Sequence, residues 1–257
     1  MTKMSKTSRT AKATAPTEQS IKRTLRIGVI EDMMNNLKRI IDDDNNAAAM
    51  YNLGILMQNA FKMPIYFTGI GKPSYIAKKQ AATLKSIMCN SEFIDACLAG
   101  HGDLGSIPMH TPSMLYAISK SGCTKELFDL FKVLKQLRPK CTIVMVCMST
   151  DEQEAIVQAC EDIDFVIRFN FDFTELDGFG IVPATSNAMF EILFANALNN
   201  AIYEAVGPVE VCKALQRSHP SGTLYNKVTK LLEELEAEHD TQQDDNVTEA
   251  TGKQDED

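Results

Sequence analysis

The chain reads as an α/β protein, a three-layer sandwich with a central parallel sheet and helices on both faces. Two observations lead there. From residue 64 onward, short apolar runs bounded by turn residues alternate with longer segments of helical periodicity, the pattern of strand–helix–strand units. The strand-like runs are apolar at nearly every position rather than every second one, as in Pro64-Ile65-Tyr66-Phe67-Thr68. That composition marks strands covered on both sides, which parallel sheets require. A chain of 257 residues, 44 % hydrophobic, suits one such domain or two small ones.

The elements follow in order. Residues 1–24 are polar, aperiodic and rich in Ser, Thr and Lys, the composition of a disordered basic arm. From 27 to about 60 the apolar residues Ile27, Ile30, Met34, Leu37, Ile40 and Ile41, then Met50, Leu53, Ile55, Leu56 and Phe61, recur at helical spacing. Two amphipathic helices broken near Asp42-Asp43-Asp44 fit that spacing. A strand over 64–68 leads through a glycine turn into a helix over 74–88. A weaker strand is expected over 93–97. Strands at 114–119 and 142–147 are each followed by a helix, over 124–137 and 151–160, and a last strand covers 164–168. Helical patterns occupy 185–206, 208–216 and 223–238. Residues 239–257 read as a disordered acidic tail, so the folded body is 25–238. There is no internal repeat.

The net charge of −8 is uneven: residues 1–26 hold seven basic residues and one acid, and 233–257 hold eleven acids and one lysine. A general nucleic-acid binder needs clustered Lys and Arg, so nucleic acid is not an expected partner. The seven cysteines are scattered without a Cys-x-x-Cys pair, and several stand in apolar runs. Buried, reduced thiols point to the cytoplasm. No run approaches the ~20 apolar residues that span a bilayer, and the basic N-terminus lacks the apolar stretch of a signal peptide. No membrane partner is expected.

Ligands of open α/β sheets bind beyond the carboxyl ends of the strands. Three polar turns fall there: Thr68-Gly69-Ile70-Gly71-Lys72-Pro73-Ser74, Ser119-Lys120-Ser121-Gly122-Cys123-Thr124 and Ser149-Thr150-Asp151. The first two open helices, whose unpaired N–H groups and dipole favour an anion. Plain N-capping by Ser and Thr is the alternative. It suits the third turn, whereas the second has more hydroxyls around one glycine than a cap uses. Gly69–Ser74 is not a nucleotide P-loop, because Tyr66 and Pro73 stand where that pattern needs glycine and a hydroxyl. Nor is it a dinucleotide fingerprint, since Ser74 takes the third glycine's place. Two histidines have glycine- or proline-framed settings, His101 in Gly100-His101-Gly102-Asp103-Leu104-Gly105 and His219 in Ser218-His219-Pro220-Ser221-Gly222. Cys97, His101 and His110 match no familiar ligand spacing, so no metal site is expected.

Taken in order, these segments resemble the sugar isomerase (SIS) domain, and more narrowly the arabinose-5-phosphate isomerases. The family's GMGKSG, AHGDLG, SNSGES, GLAPTSS and SHPGG segments correspond to 69–74, 100–105, 119–124, 180–186 and 218–222. The match covers about 62–228. The resemblance implies a SIS-type sandwich that interconverts D-ribulose 5-phosphate and D-arabinose 5-phosphate, a step towards the lipopolysaccharide sugar Kdo. It implies no cofactor, and a homotetramer with active sites at subunit contacts. It places Lys72, His101, His219 and Glu175 in the active site. It also shows departures: Cys123 stands where the family has a glutamate, Pro73 where it has serine, Ser221 where it has glycine, and the paired CBS modules of many members are absent.

Aldose–ketose isomerisation needs a base near the sugar carbons, a donor to the developing oxyanion and a phosphate handle. The handle falls to Ser119, Ser121 and Thr124, helped by Ser74, with Gly71, Gly122 and Cys123 completing the two turns. Lys72 supplies positive charge, Glu175 and His219 are the candidates for proton transfer, and His101 for ring opening or hydroxyl polarisation. Three functions remain open: this isomerase, a SIS-type phosphosugar binder without catalysis, and an isomerase of another phosphosugar.

Overall fold

The computed structural model describes residues 38–39, 41–148, 151–170 and 184–251. The basic arm, most of the helix expected over 27–41, Glu175 and the segment 180–183 lie outside those residues. Among the described residues the elements are α1 (Asp44–Ala60), β1 (Ile65–Gly69), α2 (Lys72–Ser86), β2 (Ser91–Phe93), β3 (Ser113–Ser119), α3 (Lys125–Leu137), β4 (Cys141–Cys147), α4 (Asp151–Gln158), β5 (Phe165–Arg168), α5 (Ala184–Val206), α6 (Pro208–Ser218) and α7 (Thr223–Thr251). The strands form one parallel sheet in the order β2-β1-β3-β4-β5.

All residues of β1 and β3 are buried, as their unbroken apolar runs require, and alternate side chains enter two separate cores. Ile65, Phe67, Met114, Tyr116, Ile118, Val144 and Val146 meet α1, α2 and α5 on one face. Leu115, Ala117, Ile143, Met145 and Cys147 meet α3, Val157 of α4 and the β2–β3 connection on the other. Helix α3 shows why the sequence folds this way. Leu127, Leu130, Phe131 and Leu134 recur at i, i+3, i+4, i+7 and are all buried, at about 1.5–3 kcal/mol each relative to exposure. The acidic break also forms: Asp43 caps α1 by accepting from the N–H groups of Asn45 and Asn46. Asn46, itself buried, exchanges two hydrogen bonds with the Asn170 backbone after β5.

Three expectations are corrected. The strand expected over 93–97 is Ser91–Phe93; the Asp95 carboxylate accepts from Cys97 N–H, a turn that ends the pairing. The early helix expected over 74–88 begins at Lys72 and ends at Ser86, because Pro73 is tolerated in a first turn. The acidic segment expected to be disordered from 239 is helical as far as Thr251; each residue added to a formed helix gains a bond at little further cost. No helix among the described residues is long and apolar enough to cross a membrane.

Candidate active site

Strand β1 is flanked by β2 on one side and β3 on the other, so successive crossovers leave it in opposite directions. The crevice outside the carboxyl ends of β1 and β3 is the switch point where such sheets bind ligands. The turns following these strands are the two hydroxyl-bearing ones. Gly69 pairs with Ile118 across the sheet, and a Cβ on Gly69 would lie 2.9 Å from the Ile118 carbonyl oxygen and 3.0 Å from the Pro73 carbonyl carbon. Only glycine lets the first turn come this close to β3. Gly71 then adopts φ 66° at the start of α2, and Ser74 donates from Oγ to the Gly71 carbonyl at 2.7 Å. Lys72 is the first residue of α2, exposed at the crevice.

The second turn is organised by its own side chains. Ser119 Oγ, buried at the end of β3, accepts from Gly122 N–H at 3.1 Å and lies 3.0 Å from Thr124 Oγ1. Ser121 Oγ accepts from Cys123 N–H. Thr124 precedes α3, yet its hydroxyl caps no backbone N–H; it is turned to Ser119 instead. Simple N-capping therefore does not account for these hydroxyls. Of the Ser119–Thr124 pair one O–H is used within the pair and the other is free to donate, and Ser121 keeps its own O–H. Set before the N-terminus of a thirteen-residue helix, this arrangement can hold a tetrahedral anion.

Gly122 and Cys123 face the other way, onto α4. Gly122 has φ 72°, and a Cβ there would lie 2.7 Å from Val157 Cγ2. Cys123 Sγ donates to the Gln153 carbonyl at 3.5 Å. A thiol beside a helix N-terminus is expected to be acidified; here burial pushes it up instead. Sequence reasoning missed Gln153 and Val157 as partners of this turn, because the contact joins segments some thirty residues apart.

The histidines are placed differently. His101 ends a short 3₁₀ turn, Ala99–His101, in the β2–β3 connection beside β1, and is exposed. His219 follows α6, where Ser218 Oγ donates to the carbonyl of Ser86, the last residue of α2. With that hydroxyl hydrogen committed, His219 Nδ1, 2.9 Å from Ser218 Oγ and 3.2 Å from the Leu215 carbonyl, is the donor to both. In the neutral imidazole that tautomer puts the lone pair on Nε2, the form a base needs. But Lys72 and Ser86 are the two ends of a fifteen-residue helix, about 21 Å apart at 1.5 Å per residue. One chain sets the turn that carries Lys72 and Ser74 beside the end of β3, from which the 119–124 turn leaves, and keeps its own His219 at the far end of α2. Glu175 lies outside the described residues. Among them no group of three His, Cys, Asp or Glu could hold a metal.

The five-stranded parallel sheet and its flanking helices give the chain a SIS-type α/β fold. Of solved structures, that of E. coli CFT073 c3406 in complex with arabinose 5-phosphate superposes with a TM-score of 0.58 at 23 % identity, covering 73 % of this chain and 93 % of that one. A candidate sugar-phosphate isomerase of Listeria monocytogenes gives 0.64 at 19 % identity, covering 80 % and 99 %. No family model matches the sequence. In sequence the chain resembles arabinose 5-phosphate isomerase KdsD: that of Yersinia pestis is 33 % identical over 168 residues, 65 % of this chain and 47 % of the relative. The Francisella tularensis protein of that name is 28 % identical over 204 residues, 79 % and 58 % of the two chains. The chain thus spans about half the length of the curated relatives it matches.

Proposed function

We propose that the protein is a phosphosugar aldose–ketose isomerase, and that its reaction interconverts D-ribulose 5-phosphate and D-arabinose 5-phosphate. The observation that carries this is the pair of turns at the β1/β3 switch point, with hydroxyls organised for an anion on one side and Lys72 on the other. The likeness to KdsD supplies the choice of sugar.

In this reading the phosphate sits on the O–H groups of 119–124 and the first turn of α3. A base removes a proton from C1 of ribulose 5-phosphate, and the C2 carbonyl becomes the enediolate oxygen. Lys72 offsets that developing charge, a stabilisation worth most in a site sheltered from water. Return of a proton to C2, with transfer of the O1 proton to O2, completes the aldose. Glu175 and His219 Nε2 are the proton-transfer groups, and His101 polarises a hydroxyl or opens the ring. Because His219 stands a helix-length from Lys72 in its own chain, the acting imidazole is His219 of the partner subunit, within a homo-oligomer.

Turnover of ribulose 5-phosphate, followed by NMR of the sugar carbons, tests the reading. Expected is formation of arabinose 5-phosphate; failure with this substrate but turnover of another phosphosugar moves the specificity and keeps the class. A second reading, a binder without catalysis, is favoured by Cys123, whose thiol is spent on Gln153 where the resembling enzymes offer a carboxylate. Saturable phosphosugar binding by calorimetry with no turnover of any pentose or hexose phosphate would select it.

A further inference from the structure

The connection between β2 and β3, residues 94–112, carries His101 without an α-helix or strand to hold it. Its regular pieces are two short 3₁₀ turns, Ala99–His101 and Asp103–Ser106, joined by Gly102 at φ 131°. Apolar pegs at Ile94, Ala99, Leu104 and Ile107 sink into the second core, but such pegs leave the carbonyls of a 3₁₀ turn without the ladder partners of a longer helix. Those carbonyls are taken up from elsewhere. Arg138, the residue after α3, donates from Nε to the Ile107 carbonyl at 2.7 Å and from Nη2 to the Leu104 carbonyl at 3.0 Å. Its Nη1 donates to the Leu137 carbonyl at 2.9 Å, which fixes the guanidinium to the end of its own helix. The Tyr66 hydroxyl, on β1, donates to the Ser106 carbonyl between them at 2.5 Å.

Three carbonyls of one short segment, 104, 106 and 107, are thus gripped from two rigid elements. The grip passes back towards the histidine through main-chain bonds. Gly105 N–H donates to the Gly102 carbonyl at 2.8 Å, and Gly102 N–H to the Ala99 carbonyl at 3.3 Å. Ser106 Oγ adds a bond to the Asp103 carbonyl at 2.7 Å. A guanidinium suits this role because it is planar, always charged, and presents its donors in a fixed fork. A lysine ammonium at 138 has three N–H donors but all on one nitrogen, so it cannot span the separate Leu104, Ile107 and Leu137 carbonyls that Nε, Nη1 and Nη2 reach. Burial, with Glu92 nearby, raises the Tyr66 phenol above its ordinary value, so it stays a donor through the physiological range.

We propose that Arg138, assisted by Tyr66, is a positioning residue for His101: it touches no substrate and fixes the backbone turn from which the imidazole is presented to the sugar. The inference rests on the isomerase reading and on a role for His101 within it. A misplacement of about 1 Å in a catalytic group can slow a reaction about a hundredfold, which is why a loop-borne histidine needs such a clamp. The phosphate handle is on a different connection, 119–124, so loss of the clamp is expected in kcat more than in KM.

The experiment is a double-mutant cycle on phosphosugar turnover, with Arg138→Ala, Arg138→Lys, Tyr66→Phe and His101→Ala in the full chain. Expected is a fall in kcat of about tenfold to a hundredfold in Arg138→Ala with KM within about threefold. A smaller fall is expected in Tyr66→Phe. The double variant His101→Ala/Arg138→Ala should be no slower than His101→Ala alone, since a clamp has nothing to position once the imidazole is gone. Amide exchange should quicken over 101–107 in Arg138→Ala and stay unchanged in β3. If Arg138→Ala does not fold, Arg138→Lys and Tyr66→Phe carry the same cycle. Additive losses in the double variant, or normal exchange over 101–107, overturn the clamp and leave the isomerase reading standing. A His101→Ala enzyme as fast as wild type removes the role of His101 and the clamp with it. A wild type that turns over no phosphosugar fails earlier, at the proposed function.

Discussion

Gly122 is held in place by two separate constraints. Its φ of 72° is one that a side chain resists, and a Cβ would press on Val157 at 2.7 Å. Gly71 shares the first constraint, with φ 66°, but has nothing within 4 Å of where a Cβ would stand. Gly71→Ala should therefore cost about 1–3 kcal/mol, the cost of holding a side-chain-bearing residue at the sparsely populated φ 66°, ψ −132°. Gly122→Ala adds an overpacking cost of about 1–3 kcal/mol, and since relief requires the turn to leave α4, phosphosugar affinity should fall with stability. Urea denaturation of both variants checks the order; equal losses would mean that Val157 yields freely. The glycine was singled out in the sequence as part of the turn proposed to hold phosphate. Its contact with Val157 was not, because nothing in 119–124 says which later helix will lie beneath it.

At the scale of elements, the helix that bears the turn is α4, only eight residues long, and a helix this short has little stability of its own. Arg168 of β5 secures its first turn, with Nη2 donating to Asp151 at 2.7 Å and Nη1 to Glu154. Asp151 is almost fully exposed and Glu154 about one-third so, which limits each pair to about 1 kcal/mol or less. Arg168→Ala is expected to lower stability by about 1 kcal/mol, and the difference should shrink in 1 M salt, where charges are screened beyond about 3 Å. A loss unaffected by salt would locate the effect in packing. The strands and the helices from 64 to 218 followed from apolar runs and periodicity to within a few residues. What periodicity could not supply was the short β2, ended by the Asp95 turn, and the reach of α7, whose continuation depends on an already formed helix rather than on an apolar stripe. The two turns of the candidate site stood out because their residue types are unusual for plain caps, whereas the Arg138 hydrogen bonds join residues about thirty positions apart and leave no local mark.

At the scale of the molecule, the separation of His219 from Lys72 makes a strong demand. If the chain catalyses isomerisation with both groups, a complete site must draw Lys72 from one copy and His219 of the partner subunit from another, as a closed symmetric oligomer permits. Lys72→Ala and His219→Ala homo-oligomers should then each be impaired at every site. In a mixed assembly, a site that takes Lys72 from the His219→Ala chain and the imidazole from the Lys72→Ala chain is intact. Random mixing of equal amounts gives each site even odds for each group, so about a quarter of wild-type activity should return in the unselected mixture and about half in a purified mixed dimer, where one of its two sites is intact. The two variants are best co-expressed with different tags and the doubly tagged species purified, so that exchange of subunits is verified before activity is measured. Recovery would establish that the catalytic unit is at least two chains and that α2 acts as the spacer between half-sites. A doubly tagged oligomer with no more activity than its parents would show that His219 serves only its own chain, where its bonds to Ser218 and Leu215 would be a helix end and nothing more.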